Sequence, residues 1–441
     1  MIEKPHPETD LSAEPNENTS RASHSRRYGP DTFGSLRFKD FRWLFTGTLL
    51  TNAAQCIQQI TLNWLVYNLT GSGIMLGTLN LLRASASLGV TPVSGTIIDR
   101  ADRRKVMIGT SIWMFMITLV LGVMLVTGHR YIWALLLFSF LAGTVRTLDM
   151  NLRQVMVFSL VSREYTPNAF ALIQTGWSLM RSLGPAIGGF LILWFGAGGN
   201  FLIQAAVYPL IMLSIMQISF PKTKPDSRRG SALRDIKVGF SYVIRQPETL
   251  TFALMGFVTP LLVVPIFSVL PAIYVEDVFR EGPDAMGLMM AAIGVGGIIG
   301  GFISASLGHV ERRGLLQIAS LFLLNLSLAG LAFATRLWMS LPLMAAAGFF
   351  EMIFMVSNKT MLQLSIPDNI RGRVTALVNL NFILSPIGGI IAGVGSDLFG
   401  GPQTITLIMS GLSALIAAGV FLFCPIVRDY RMSRAIGMND D

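Results

Sequence analysis

A chain of 441 residues with 13% charged and 52% hydrophobic side chains has too few polar groups to cover a water-facing surface, because soluble domains carry about 25% charged residues. That excludes an ordinary soluble enzyme or binding domain and requires lipid as solvent. The net charge of +9 is accounted for by membrane topology and contact with anionic lipid heads, so no nucleic-acid partner is expected.

Residues 1–36 are polar and mix both charges with Pro, Ser and Asn; they read as a disordered tail without a signal peptide. A bilayer-spanning helix needs about 20 mostly apolar residues. Runs of that length fall at 43–67, 74–98, 105–127, 131–157, 168–195 and 200–219. After a polar stretch at 220–248, six more follow at 249–276, 284–307, 314–335, 338–361, 373–397 and 403–427. They are long and continuous, without the inside/outside alternation of a barrel. The expected fold class is an all-α integral membrane protein, with twelve transmembrane helices in two pseudo-symmetric six-helix halves, 37–219 and 249–427, and a tail at 428–441. Lys and Arg mark cytoplasmic loops. The segments assigned inside hold 26 of the 34, and the outer loops hold three, Arg130, Arg280 and Arg336. Both termini are therefore expected in the cytoplasm.

Span 1 carries Asn52, Gln55, Gln59 and Asn63 three and four residues apart, one polar face suited to a central substrate cavity. Span 2 contributes Arg83. Between spans 2 and 3 stands Gly95-x-x-x-Asp99-Arg100-x-x-Arg103-Arg104-Lys105. The four cations are expected to anchor the end of span 2 and complement its helix dipole. Asp99 is disfavoured there by about 0.3–1 kcal/mol and needs a partner elsewhere. In span 4, Arg146, Asp149 and Arg153 share a face, so Asp149 can pair with either arginine. Span 5 holds Arg181 and the small-residue run Gly184-Pro185-Ala186-Ile187-Gly188-Gly189. Within 220–248, Leu233, Ile236, Phe240, Val243 and Ile244 fall on one helical face, which reads as an amphipathic helix on the membrane surface. Span 10 carries Glu351, with Lys359 two turns on, and span 11 carries Ser385-Pro386-Ile387-Gly388-Gly389.

The halves repeat. Gly77 opens a span leading to Arg103-Arg104, and Gly287, about 209 residues on, opens one leading to Arg312-Arg313. The Gly184 and Pro386 runs recur about 201 positions apart. Two such halves imply a cavity between them.

The Gly95–Arg104 loop resembles the signature loop between spans 2 and 3 of the major facilitator superfamily, and the resemblance covers about residues 37–427. It implies that Asp99 engages the start of the eleventh helix in the outward-facing state, near Arg371 and Arg373. Trp64-Leu-Val-Tyr67-Asn-Leu-Thr70-Gly71-Ser72, Arg153-Gln154 and Arg181 resemble the branch of enterobactin exporters and macrolide efflux pumps, although Leu152 stands where that branch usually has proline. Gly184-Pro185-x-x-Gly188-Gly189 resembles the fifth-span motif of drug:proton antiporters, with Met180 in place of its earlier glycine. These resemblances imply an exporter of a small organic molecule in the bacterial inner membrane, acting as a monomer by alternating access. Its energy would come from a proton gradient, with no bound cofactor.

A charge at mid-membrane costs at least about 2.5–3.5 kcal/mol, so it faces a cavity or a partner. Asp149 or Glu351 is the candidate proton carrier. Burial favours the neutral carboxyl and a nearby arginine the charged one, so Glu351, with no cation within one turn, is expected to carry the proton and Asp149 to form a structural pair. Cys56 and Cys424 read as free buried thiols, and no metal site is expected. No GxxxxGK[ST] loop is present, so ATP is not the expected driver. No catalytic residues are expected: His6 and His24 lie in the tail and His129 and His309 in loops on opposite sides, so no two can share a site. Import of a nutrient or flipping of a lysophospholipid is the alternative use of the same fold, separated from export by the direction of labelled-substrate movement.

Overall fold

The computed structural model describes residues 33–162, 164–220, 240–307, 310–367, 370, 374, 384–428 and 430, and among them every regular element is helical. A 3-10 turn at Gly34–Arg37 leads into α1 (Lys39–Thr70). That helix ends on Gly71, whose φ of 58° needs a residue without Cβ. Next come α2 (Gly73–Arg100), α3 (Arg103–Val126), α4 (Ile132–Leu160) and α5 (Thr166–Met216).

The 51 residues of α5 do not form one rod. At Gly196 the backbone leaves the helix with φ 69° and ψ 171°. Asn200 Nδ2 donates to the carbonyl of Gly188 at 3.3 Å, whereas in a straight helix those residues would stand about 18 Å apart. The chain therefore doubles back at Gly196, and the arms 166–195 and 197–216 are separate passes.

The second part of the chain holds α6 (Pro247–Phe279), α7 (Pro283–Ser306), α8 (Arg313–Leu331), α9 (Leu337–Leu364), α10 (Leu384–Leu398) and α11 (Pro402–Phe423). Pro260, Pro265 and Pro271 interrupt α6. Proline removes an N–H and clashes with the preceding turn, and the helix widens into π-turns at Thr259–Val263 and Tyr274–Phe279. Of the expected amphipathic segment at 220–248, residues 221–239 lie outside the described residues, and Phe240 to Arg245 is helical.

Nine segments of the described residues are long and apolar enough to cross a membrane. With 32 residues, α1 is long enough, but its polar row lowers its hydropathy and it is not among the nine. The described part of α10 is only 15 residues long. Trp194, Phe302 and Phe423 are 70%, 76% and 81% exposed, the orientation expected of side chains that meet lipid.

Helix crossings are set by small residues. A Cβ on Gly143 of α4 would sit 2.5 Å from the Arg83 carbonyl of α2, and one on Gly348 of α9 would sit 2.1 Å from the Ile293 carbonyl of α7. Gly189 of α5 and Gly287 of α7 are packed against the Pro283 and Pro185 carbonyls in the same way. Gly184 and Gly188 seat α5 against Cys56 and Ile60 of α1, and Gly388 seats α10 against the Leu261 carbonyl of α6. Pro386 stands one turn before Gly389 on α10, where Gly389 meets Val269.

The loop after α2 corrects one expectation. The helix stops at Arg100, so Arg103, Arg104 and Lys105 belong to the first turn of α3 and only Arg100 lies at the end of α2. Asp102 caps α3, its carboxylate accepting from the Arg104 and Lys105 amides at 2.9 and 3.4 Å. That negative charge offsets the unfavourable placing of cations at a positive helix end. The arginines reach other helices instead. Arg104 donates to the Met216 carbonyl at the end of α5, 2.8 Å, and Arg103 to Ser159 in the last turn of α4, 3.2 Å. The cations thus complement the dipoles of α4 and α5.

Candidate functional site

Five passes enclose a narrow cavity in the first part of the chain. It is lined by Thr51, Gln55 and Gln58 of α1, Arg83 of α2, Thr110, Ser111 and Met114 of α3, Arg146, Asp149 and Arg153 of α4, and Tyr208 of the second arm of α5. Helical spacing explains the convergence. Thr51, Gln55 and Gln58 are four and three residues apart on α1, as are Arg146, Asp149 and Arg153 on α4.

Of the two arginines open to Asp149, the structure selects Arg153. Its Nε donates to Asp149 Oδ2 at 2.7 Å, and its Nη1 donates to Thr48 at 3.3 Å. The other carboxylate oxygen accepts from Thr110 at 3.4 Å. Both partners of the pair are buried. Gly47 makes room for it, since a Cβ there would lie 2.4 Å from Ser214 Oγ and 3.5 Å from the Arg153 guanidinium. With Asp149 engaged on both oxygens, Arg83 and Arg146 have no ion-pair partner among the described residues. Arg83 Nη2 and Gln58 Nε2 are buried without a hydrogen bond.

The remaining candidates distribute elsewhere. Glu351 of α9 is buried and faces Arg181 of α5, Oε2 to Nη2 3.8 Å. Along its own helix Glu351 has no close cation, as the spacing indicated; the cation arrives from the other end of the sequence. Lys359 is exposed. Asn63 leaves the cavity row and donates to the Ser268 carbonyl, 2.7 Å, where α6 breaks at Val269. Asn52 and Gln59 are half-buried and are not among the cavity-lining residues. Asp99, Arg100 and Gly95 sit in the last turns of α2, but their side chains, and Arg371 and Arg373, lie outside the described residues.

Sequence reasoning missed Thr51, Gln58, Thr110 and Tyr208, although Thr51-Gln55-Gln58 is as regular a row as the one chosen. It also missed a cluster of contacts at the end of the molecule that carries the turns at 71–72 and 280–282. There Tyr67 donates to Asp277 at 2.5 Å and Asn68 to Glu276 at 3.0 Å. Asp397 of α10 accepts from the Gly73 and Ile74 amides at 2.8 and 3.1 Å and from the Ser72 hydroxyl at 3.0 Å. A carboxylate from one helix thereby caps the positive end of another. Gly73 and Gly393 allow the approach, for a Cβ on Gly73 would lie 2.4 Å from the Gly393 carbonyl. These contacts join the two parts of the chain at this end. No group of three or more His, Cys, Asp or Glu side chains able to hold a metal occurs among the described residues.

The family model described as transmembrane secretion effector matches residues 31–435. The chain is similar to the staphyloferrin A transporter of Staphylococcus aureus, 24% identical over 388 residues, covering 87% of this chain and 95% of that one. It is similar to the multidrug efflux pump Tap of Mycolicibacterium fortuitum, 26% identical over 398 residues, covering 86% and 94%. Among solved structures, the nucleoside transporter NupG superposes with a TM-score of 0.69 at 14% identity, covering 87% of this chain and 98% of that one, a likeness of fold alone.

Proposed function

The chain belongs to the transmembrane secretion effector family of major facilitator transporters, and from that membership we propose that it exports a small organic molecule in exchange for protons, by alternating access. Its relatives are membrane transporters and it is not an enzyme. A relative named for staphyloferrin A and one named for multidrug efflux support a siderophore-like or drug-like cargo for this chain too. The bilayer concerned is taken to be the bacterial inner membrane, with both termini in the cytoplasm, the transporter acting as a monomer without ATP or a bound cofactor.

Twelve crossings follow when α5 is counted twice and α1 and α10 are added to the apolar segments. Paired contacts support two halves. Thr110 of α3 meets Asp149 of α4, and about 208 positions later Gln317 of α8 meets Asn358 of α9. The Gly143–Arg83 and Gly348–Ile293 crossings correspond in the same way. With the turns that are poor in Lys and Arg outside, the end joined by these contacts is the outer one, which supports an inward-facing member of an alternating pair.

The observation that carries the mechanism is the pair between Arg181 of the first half and Glu351 of the second, 3.8 Å apart. A proton taken up by Glu351 cancels the charge that draws α9 toward α5. A group whose protonation alters an attraction across the moving interface can couple a proton gradient to a change of state. In proteoliposomes holding a panel of a labelled macrolide, ethidium and a siderophore, Glu351→Gln is expected to lose uphill, pH-driven transport at least tenfold while gradient-free exchange of the same compound persists. Full proton coupling in Glu351→Gln would remove Glu351 from the role.

A further inference from the structure

We propose that the cavity between α1, α2, α3 and α4 is a subsite for a compact organic anion, a carboxylate of the transported molecule, gripped by Arg83 and Arg146. The inference rests on the transporter reading and deepens it by naming the class of cargo.

Charge comes first. The cavity is lined by three guanidiniums, those of Arg83, Arg146 and Arg153, and by one carboxylate, that of Asp149. The carboxylate is committed to Arg153 and Thr110, so two cations are left without a counter-charge among the described residues. Uncompensated charge inside a membrane is costly, and an entering anion relieves that cost while an entering cation increases it.

Hydrogen bonding gives a second, independent indication. The buried polar atoms of this cavity that lack a partner are Arg83 Nη2 and Gln58 Nε2, and both are donors. Gln58 is only 8% exposed. A buried donor without an acceptor is destabilising by about 1–3 kcal/mol, and two of them in one cavity define a place for acceptor oxygens.

Size narrows the class. The cavity volume is about 30 Å³, and a water-sized group needs roughly 10–15 Å³ on the same measure. The space suits the two oxygens of a carboxylate and not a whole drug or siderophore. Guanidinium forks match that shape and can bind it with two parallel hydrogen bonds.

The test uses the purified full-length transporter in nanodiscs, with citrate as the carboxylate probe, trimethyl citrate as its neutral counterpart and ethidium as a cation. Calorimetry is expected to show citrate binding, at least tenfold weaker binding of trimethyl citrate, and at least tenfold loss of citrate affinity in Arg83→Gln and in Arg146→Gln. Arg336→Gln, a loop variant, should bind citrate as the wild type does. Gln58→Leu separates a ligand contact from a structural one: it should weaken citrate binding while leaving the melting temperature of the empty protein unchanged or raised, because it removes an unsatisfied donor. No citrate binding, equal binding of citrate and its ester, or unchanged affinity in both arginine variants overturns the proposal. The exporter reading fails separately. Ethidium efflux driven by a pH gradient without citrate binding would sustain export and sink the anion subsite. Citrate binding without gradient-driven movement of any probe would do the reverse.

Discussion

The α3–α4 pair and the α8–α9 pair stand about 208 positions apart in the chain, correspond under the proposed two halves, and hold different chemistry. In the first, Thr110 and Arg153 converge on Asp149. In the second, Gln317 donates to Asn358 at 2.7 Å and lies 3.5 Å from the sulfur of Met255, and the position that corresponds to Arg153 is the buried Leu362. One crossing is closed by an ion pair and the other by neutral amides and apolar packing. A buried ion pair is weak evidence for stability, because desolvation offsets most of the attraction. The neutral crossing demonstrates that this fold does not need charge at that place. The charges of the first crossing are therefore explained by its cavity, where two further arginines stand.

The sharpest way to break the comparison is to remove one partner of the pair. Arg153→Leu should lower stability by about 3–5 kcal/mol, because it leaves Asp149 charged and buried. The double variant Asp149→Asn with Arg153→Gln imitates the neutral crossing and should recover most of that loss. Thermal melts in detergent check both, and a double variant no more stable than Arg153→Leu would deny that the two crossings are interchangeable for folding.

A milder break acts on backbone spacing. Gly143→Leu and Gly348→Leu each place side-chain atoms where a carbonyl of the neighbouring helix lies, 2.5 and 2.1 Å from the first added carbon. Each should cost about 1–3 kcal/mol by overpacking. Gly143→Leu should also weaken citrate binding, since it displaces the turn of α2 that carries Arg83, whereas Gly348→Leu should not. Equal effects on binding would mean that the cavity of the first part is not a separate subsite.

The helices were legible because lipid requires long apolar runs, and even the doubled α5 was readable as two spans from its Gly-rich centre, Gly196-Ala-Gly198-Gly199. In the loop Gly95–Lys105 the signal not used was Asp102. Asp102 stands just before the apolar run of α3 and fits an N-cap, the signal that moves three cations from one helix to the next. Periodicity also placed Arg146, Asp149 and Arg153 on a common face. It cannot name a partner on another helix. Arg181 and Glu351 are about 170 positions apart in sequence, and Asp397 reads only as the polar end of an apolar run. The amides it binds belong to the backbone of Gly73 and Ile74, which no side-chain pattern reveals.

That aspartate supplies the smallest expected effect and the one closest to transport. The first part of the molecule places Arg83, Arg146 and Arg153 in a cavity; the second directs Glu276, Asp277 and Asp397 across to α1 and α2 at the end that carries the turns 71–72 and 280–282. Loss of a cap costs about 0.5–2 kcal/mol, but under the proposed alternating access this cap joins two parts that separate when that end opens, so Asp397→Ala should act on the equilibrium between states more than on folding. A change of about 1 kcal/mol alters such a ratio by roughly fivefold. Spin labels on the exposed Met75 and Phe399, which flank this contact, should show a larger population of long distances in Asp397→Ala than in the wild type, with a melting temperature changed by only a few degrees. Asp397→Asn keeps an acceptor oxygen and should fall between the two. If these labels report the same distances in all three proteins, the cap is a packing detail, and the contacts that join the two parts there are Tyr67 to Asp277 and Asn63 to Ser268.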